Sequence, residues 1–166
     1  MAASKNKKNK NQLIGCNQTV VENRRARREY HLEESFTAGL VLTGTEVKSL
    51  RKGLCSINEA YCLDEGGEIW LHNAHIAEYV QAGKHLQHDP KRDRKLLLHK
   101  REVNKIIGSI SRSGYTVVPL RLFFDARGLA KLEIALAKGK KDFDKRESEK
   151  QRDWDRQKSR IMKDKG

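Results

Sequence analysis

The sequence predicts a mainly β fold: a small antiparallel barrel of about six strands, flanking helices and a basic C-terminal tail. Three observations carry this. Apolar runs come in pairs separated by tight-turn residues, strands and helices do not alternate as a parallel sheet requires, and the positive charge is crowded into the two ends of the chain. At 166 residues the chain has the length of one domain with extensions.

Residues 1–22 open with Lys and Asn and continue as a short mixed stretch without periodicity, which reads as a disordered basic arm. The body begins near Asn23. Residues 29–34 (EYHLEE) alternate imperfectly and 38–43 (AGLVLT) read as a buried strand, so an antiparallel pair is expected. Past Gly44, the segment TEVKSLRKG sets Val47 and Leu50 at helical spacing, with Thr45 as a cap and Gly53 as a stop. The stretch INEAYCLDEGGEIWLHNAHI then holds two apolar runs around Gly66-Gly67, which supply the positive φ of a hairpin turn. Residues 80–95, with Gly83, Pro90 and many charges, read as a loop. Val103, Ile106, Ile107 and Ile110 fall at i, i+3, i+4 and i+7, giving a helix over 96–110 that Ser113-Gly114 ends. Two strands follow, Tyr115–Phe124 and Leu129–Ala137, the second alternating Leu132, Ile134 and Leu136 with Lys131, Glu133 and Ala135. Pro119 places an edge or a bulge in the first. Hairpins dominate residues 23–137, and the oligonucleotide-binding barrel is the commonest architecture of that kind.

From Lys138 to Gly166 the only large apolar side chains are Phe143, Trp154, Ile161 and Met162. That is too little apolar area to order the segment alone, although its Lys, Arg, Glu and Gln favour helix. The tail is therefore expected to be disordered when free and helical when held.

The net charge is +13. Lys5, Lys7, Lys8 and Lys10 give the first ten residues +4, and residues 138–166 carry twelve bases against seven acids, leaving only +4 for everything between. Clustered cations of this kind fit a polyanionic partner, because they displace the counterions condensed on phosphates. No apolar run is long enough to span a membrane, and MAASKNKKNK lacks the apolar core of a secretory signal. Cys16, Cys55 and Cys62 are odd in number and show no CxxC spacing, as expected of reduced cytosolic thiols.

Arg24, Arg25, Arg27 and Arg28 put four guanidiniums in five residues beside Tyr30, and arginine forks grip phosphates and stack on bases. Lys91, Arg92, Arg94 and Lys95 precede Leu96-Leu97-Leu98; cations at a helix start are disfavoured by the dipole and point to an external anion. Lys138-Gly139-Lys140-Lys141 is no phosphate-binding loop, since it lacks the first glycine and the Ser/Thr after the lysine. His72, His75, His85 and His88 have neither the i, i+4 spacing nor the nearby cysteine pairs of a zinc site, so no metal and no cofactor is expected. No nucleophile–base–acid constellation is visible, and binding rather than catalysis is the expected activity.

Five segments in order resemble the bacterial SsrA-binding protein (small protein B) family. They are NRRARREY (23–30), AGLVLTGTEVKSLR (38–51), DPKRDRKLLL (89–98), GYTVVPL (114–120) and AKGKKDFDKR (137–146), with WDRQKSRIMK (154–163) behind them. The resemblance implies a cytoplasmic, non-enzymatic RNA-binding protein of trans-translation. Such proteins bind the tRNA-like domain of transfer-messenger RNA and accompany its alanyl form to stalled ribosomes with elongation factor Tu and GTP. Their basic tail lies as a helix in the empty mRNA channel of the small subunit, near the decoding centre and 16S rRNA. Alanyl-tRNA synthetase acts indirectly, through the RNA. It further implies that Asn23, Tyr30, Glu46, Lys48, Arg92, Arg94, Lys95 and Leu97 lie on or near the RNA surface. Lys138, Lys140, Lys141, Phe143, Asp144, Lys145, Arg146, Arg152, Trp154, Arg160, Ile161 and Met162 then form the decoding and channel tail. Two positions depart from the family pattern: Thr37 replaces a frequent glutamate and Phe143 a frequent histidine. A phenylalanine keeps base stacking worth about 1–3 kcal/mol while losing the polar contact.

Overall fold

Gly66 and Gly67 sit at φ +62° and +81°, the left-handed pair that a two-residue hairpin turn requires. The strands they join are the expected ones. The structure, a computed structural model, describes residues 12–112 and 114–164, and the side chains of residues 142, 143 and 164 lie outside the described set. Lys5, Lys7, Lys8 and Lys10 of the expected arm, Ser113 of the expected helix stop and the Phe143 side chain are therefore outside it.

In chain order the elements are β1 (Thr19–Glu22), α1 (Arg24–Glu29), β2 (Tyr30–Leu40), α2 (Gly44–Arg51), β3 (Cys55–Ser56), β4 (Tyr61–Glu65), β5 (Glu68–His72), β6 (His75–Ile76), a 3-10 turn (Lys84–Leu86), β7 (Arg94–Leu97), α3 (Lys100–Ile110), β8 (Tyr115–Phe124), β9 (Ala130–Gly139) and α4 (Asp142–Asp164). Seven strands share one antiparallel sheet ordered β1–β8–β4–β5–β7–β2–β9, and β9 also pairs with β8. Six strands thus close a ring, the predicted barrel, while β3 and β6 form a small separate pair.

Closure depends on two long strands that each serve several neighbours. β8 pairs with β4 at Val117 and with β1 from Arg121 to Phe123, while β9 runs along its other side. Its register with β9 shifts between Pro119 and Arg121. Of the two readings of Pro119, the bulge is found; the strand is not an edge. Asn23 fills the adjoining gap, its N–H donating to Leu120 O (2.8 Å) and its side-chain amide to Pro119 O (3.0 Å).

The interior is continuous and apolar. Phe36 and Ala38 of β2, Ile69 and Leu71 of β5, Leu96 of β7, Leu122 and Phe124 of β8 and Leu132 and Ile134 of β9 meet Leu50 of α2 and Ile106 of α3. A second, smaller cluster lies between α1 and the sheet: Ala26, Val118, Leu120, Ala135 and Ala137, with Tyr30 and Leu32 packed against it.

Four sequence expectations change. Thr19–Glu22, read as arm, is a strand because β8 extends past the bulge and offers it a partner. Arg24–Glu29, where no helix was expected, is helical because the Asn23 side-chain oxygen accepts from Ala26 N (3.1 Å) and buries that turn on Ala26. Residues 94–97, read as loop and helix start, form a strand with Arg94 and Leu96 inward and Lys95 and Leu97 less buried, so α3 begins at Lys100. The cap of α2 is Thr43 rather than Thr45, with Glu46 Oε2 accepting from Thr43 N at 2.8 Å.

The tail forms helix α4, and β9 runs to Gly139, so the first two residues assigned to the tail belong to the barrel. Arg28 pairs with Glu149 at 2.7 Å, His31 lies 3.5 Å from Asp144, and both Lys140 and Arg152 donate to the Arg27 carbonyl. From Asp153 onward the described polar contacts are within the helix itself.

Ile134 is fully buried on β9, a strand paired on both sides. Ile134→Ala should lower the urea-derived unfolding free energy by about 2–5 kcal/mol, through lost transfer energy and a residual cavity. A loss below about 1 kcal/mol would show that the barrel interior is not the stabilising core.

Candidate nucleic-acid interface

The sheet surface beside α2 is built over one buried carboxylate. Glu46 and Arg94 both have side chains with no solvent exposure, and Arg94 Nε donates to Glu46 Oε1 at 2.8 Å. Arg92 adds Nε to Oε1 (3.2 Å) and Nη2 to Oε2 (2.7 Å). The other Arg94 nitrogens reach Ala74 O (2.7 Å) and Pro90 O (3.1 Å). Burial alone would raise the Glu46 carboxyl, but the hydrogen bonds from Arg92, Thr43 N–H and Arg94, with the Arg94 charge, outweigh it and hold the group below its ordinary range. One carboxylate thus ties α2, β7 and the connection before β7 together.

The residues expected on or near the surface divide by burial. Glu46, Arg94 and Asn23 are buried and committed to internal bonds, so they lie beneath the surface and hold it from below. Lys48, Lys95 and Leu97 do stand at the surface, although Lys95 is paired with Glu68 at 2.5 Å. Leu97 is 53% exposed beside Gly39, where an added Cβ would meet the Leu97 Cβ at 3.3 Å. Glycine here lets β2 and β7 lie close under that leucine. Thr37 is exposed on the same strand.

Reading the sequence missed one feature of this surface. The Tyr79 ring lies 5.4 Å from Lys48 Nζ and 4.7 Å from Lys52 Nζ. Gln87 holds the Tyr79 backbone from both sides, accepting from its N–H (3.1 Å) and donating to its carbonyl (2.5 Å). Lys48 and Lys52 at i, i+4 were a legible pair on α2; nothing local in residues 80–95 announced the glutamine clamp. The loop is also pinned by His88, whose Nε2–H donates to Ile76 O (3.0 Å), while Nδ1 lies 2.8 Å from Thr45 Oγ1.

The second candidate surface lies around α1. Arg25 is paired with both Glu29 and Glu59; the Glu29 hydrogen bond and charge, then Glu59, raise its pKa further. Arg24 and Arg27 are exposed without described ion pairs, and Tyr30 is half-buried against the smaller apolar cluster. In the tail, Lys138 sits on β9 with Nζ 5.7 Å from the Tyr115 ring, and Lys140 bonds Ser148 Oγ at 3.1 Å. Lys141, Arg146 and Arg160 are exposed, Asp144 and Lys145 partly covered. Trp154, Ile161 and Met162 form an outward apolar stripe, 63%, 57% and 68% exposed.

The SmpB protein family model matches residues 20–164, from β1 to the end of α4. The chain belongs to the SmpB family. Its relatives include the SsrA-binding protein of Agrobacterium fabrum, 58% identical over 147 residues, covering 89% of this chain and 91% of that one. The SsrA-binding protein of Rhizobium leguminosarum bv. trifolii is 56% identical over 150 residues, covering 90% and 94%. A solved chain from work described as "tmRNA-SmpB: a journey to the center of the bacterial ribosome" superposes with TM-score 0.62 at 46% identity, covering 74% of this chain and 85% of that one.

Among the described residues no group of His, Cys, Asp or Glu is arranged to hold a metal ion, and no helix is long and apolar enough to cross a membrane. The three thiols are free. Burial pushes Cys55 up to about 12, with a smaller opposing effect of Arg94, and pushes the wholly buried Cys62 higher still.

Two outcomes follow from these environments. A thiol-reactive disulfide should label Cys16 alone in the native protein, since only Cys16 is exposed, and all three after denaturation; native labelling of Cys62 would contradict its burial. The depressed Glu46 carboxyl contributes stability in full above the unfolded value of about 4.3, and loses it as pH falls through the lower folded value. Urea midpoints should therefore fall with pH below about 4.3, with a shallower fall in Glu46→Gln; equal slopes in the two proteins would remove Glu46 from the acid transition.

Proposed function

We propose that this protein is an RNA-binding factor of trans-translation that binds transfer-messenger RNA through its tRNA-like domain. It delivers the alanyl form to stalled ribosomes and lays its C-terminal helix in the empty mRNA channel, beside the decoding centre and 16S rRNA. Elongation factor Tu with GTP and alanyl-tRNA synthetase are indirect partners, reached through the RNA. The protein acts in the cytoplasm and contributes binding, while the ribosome and synthetase make the bonds.

The observation that carries this reading is the family match across body and tail together, to relatives named SsrA-binding protein and to a solved tmRNA-SmpB neighbour. The geometry supports it. A closed barrel gives a rigid support on which Lys48 and Lys52 lie against the Tyr79 ring and Leu97 stands exposed on β7. This combination of cations with apolar and aromatic surface suits a folded RNA whose bases are partly unstacked. The tail carries its apolar stripe beyond the last polar contact with the body, where a ribosomal groove can receive it.

Body and tail should fail separately. Removing residues 153–166, which leaves β9 and Arg152 in place and takes away the apolar stripe of Trp154, Ile161 and Met162, should keep tmRNA affinity within about threefold and abolish tagging of stalled peptides in a reconstituted translation system. Normal tagging by the truncated protein would end the channel reading. With six phosphate contacts, log K should fall against log salt with a slope near about −5; a flat dependence would remove phosphate binding as the main contribution.

A further inference from the structure

A cleft of about 440 Å³ opens where α1, the far half of β8 and the tail helix α4 meet. Arg24 and Arg27 line it from α1, Arg121 from β8 and Arg152 from α4, against two carboxylates, Glu22 and Glu133. Like charges brought together in a concave site raise the local potential and favour an anion. Arg121 is held by Glu133 (Nε to Oε2, 3.2 Å) and lies 4.6 Å from the Phe123 ring centre. Arg152 gives one N–H to the Arg27 carbonyl at 2.9 Å, and a guanidinium has five. Arg24 and Arg27 have no described carboxylate partner. The donors exceed the acceptors that the fold supplies.

We propose that this cleft holds one phosphate of an RNA strand, gripped from the body by Arg24, Arg27 and Arg121 and from the tail by Arg152. It rests on the RNA-binding reading above. Several planar forks approaching from different elements match the oxygens of a phosphate. The volume has room for the phosphate with its sugar. Among the described residues no aromatic ring lines the cleft, and the grip is on the backbone without regard to sequence. Because Arg152 belongs to α4, a phosphate here links the tail helix to the barrel and fixes the direction in which the helix leaves it. Arg152, expected among the channel residues, instead serves the joint.

The test compares the full chain with Arg121→Gln, Arg152→Gln, the double variant and Glu133→Gln, measuring affinity for a tRNA-like RNA across a salt series. Each single arginine change should weaken binding about tenfold and reduce the salt slope by about 0.9, one phosphate's worth. Since the two arginines share that phosphate, the double variant should lose the same slope once, not twice. Glu133→Gln frees Arg121 and should tighten binding several-fold, a gain that misfolding cannot imitate. Unchanged affinity in the arginine variants, slopes that add in the double variant, or weaker binding by Glu133→Gln would overturn the site while leaving the broader RNA-binding reading intact. No RNA binding by the unaltered chain would remove both. Inorganic phosphate and adenosine monophosphate, titrated alone, should show no saturable binding below millimolar concentration. Tight binding of either, lost in Arg121→Gln with RNA affinity unchanged, would make this a small-anion site and overturn the strand assignment.

Discussion

The buried pair of Glu46 and Arg94 is the constraint on which the surface beside α2 depends. Neither side chain reaches solvent, and the carboxylate is shared by two guanidiniums and a backbone N–H. A pair of this kind is weak evidence for net stability, because desolvation offsets most of the attraction. Its consequence is positional. Arg94 reaches the carbonyls of Ala74 and Pro90, so α2, the end of the β5–β6 segment and the approach to β7 all meet at one point. Lys48, Lys52, Arg92 and Leu97 stand on the elements so joined, and His88 and Gln87 fasten the loop that carries Tyr79.

Charge is distributed so that only part of this molecule suits a polyanion. Residues 53–83 contain Glu59, Asp64, Glu65, Glu68 and Glu78 and no lysine or arginine, within a chain of net +13. The β4–β5 hairpin, which holds three of these acids, therefore repels phosphate. Bases are concentrated on α1, α2, the segment around β7, α3 and α4. An RNA bound to the barrel is directed to those elements, and the tail helix leaves from the same side as the α1 arginines, to which it is tied by Arg28–Glu149 and by Lys140 and Arg152.

How much of this was legible in the sequence follows from how local each determinant is. The Gly66-Gly67 turn, the α2 helix and the Tyr115–Phe124 strand with its bulge at Pro119 rest on residues within a few positions of one another, and they were readable. The α1 helix was not, because RRARRE has no apolar period; it forms only when Asn23 is held by carbonyls of Ile57 and Pro119, far along the chain. β7 was misread for a related reason. One of its two inward residues is an arginine, which looks like surface until Glu46, 48 positions earlier, is brought beside it. β1 is a short edge strand whose partner exists only because β8 outruns β4. Among the expected site residues, which side chains face outward was decided by long-range pairing, as Arg94 with Glu46 shows.

A double-mutant cycle on unfolding free energy with Glu46→Leu and Arg94→Met tests most directly whether one buried ion pair organises this face. Glu46→Leu leaves the buried Arg94 guanidinium without its carboxylate and should cost about 3–5 kcal/mol. Arg94→Met leaves Glu46 with Arg92 and the Thr43 N–H and should cost less, and the double variant should cost far less than the sum. Additive losses would show that the two side chains act independently, and would contradict the central role given to their pairing.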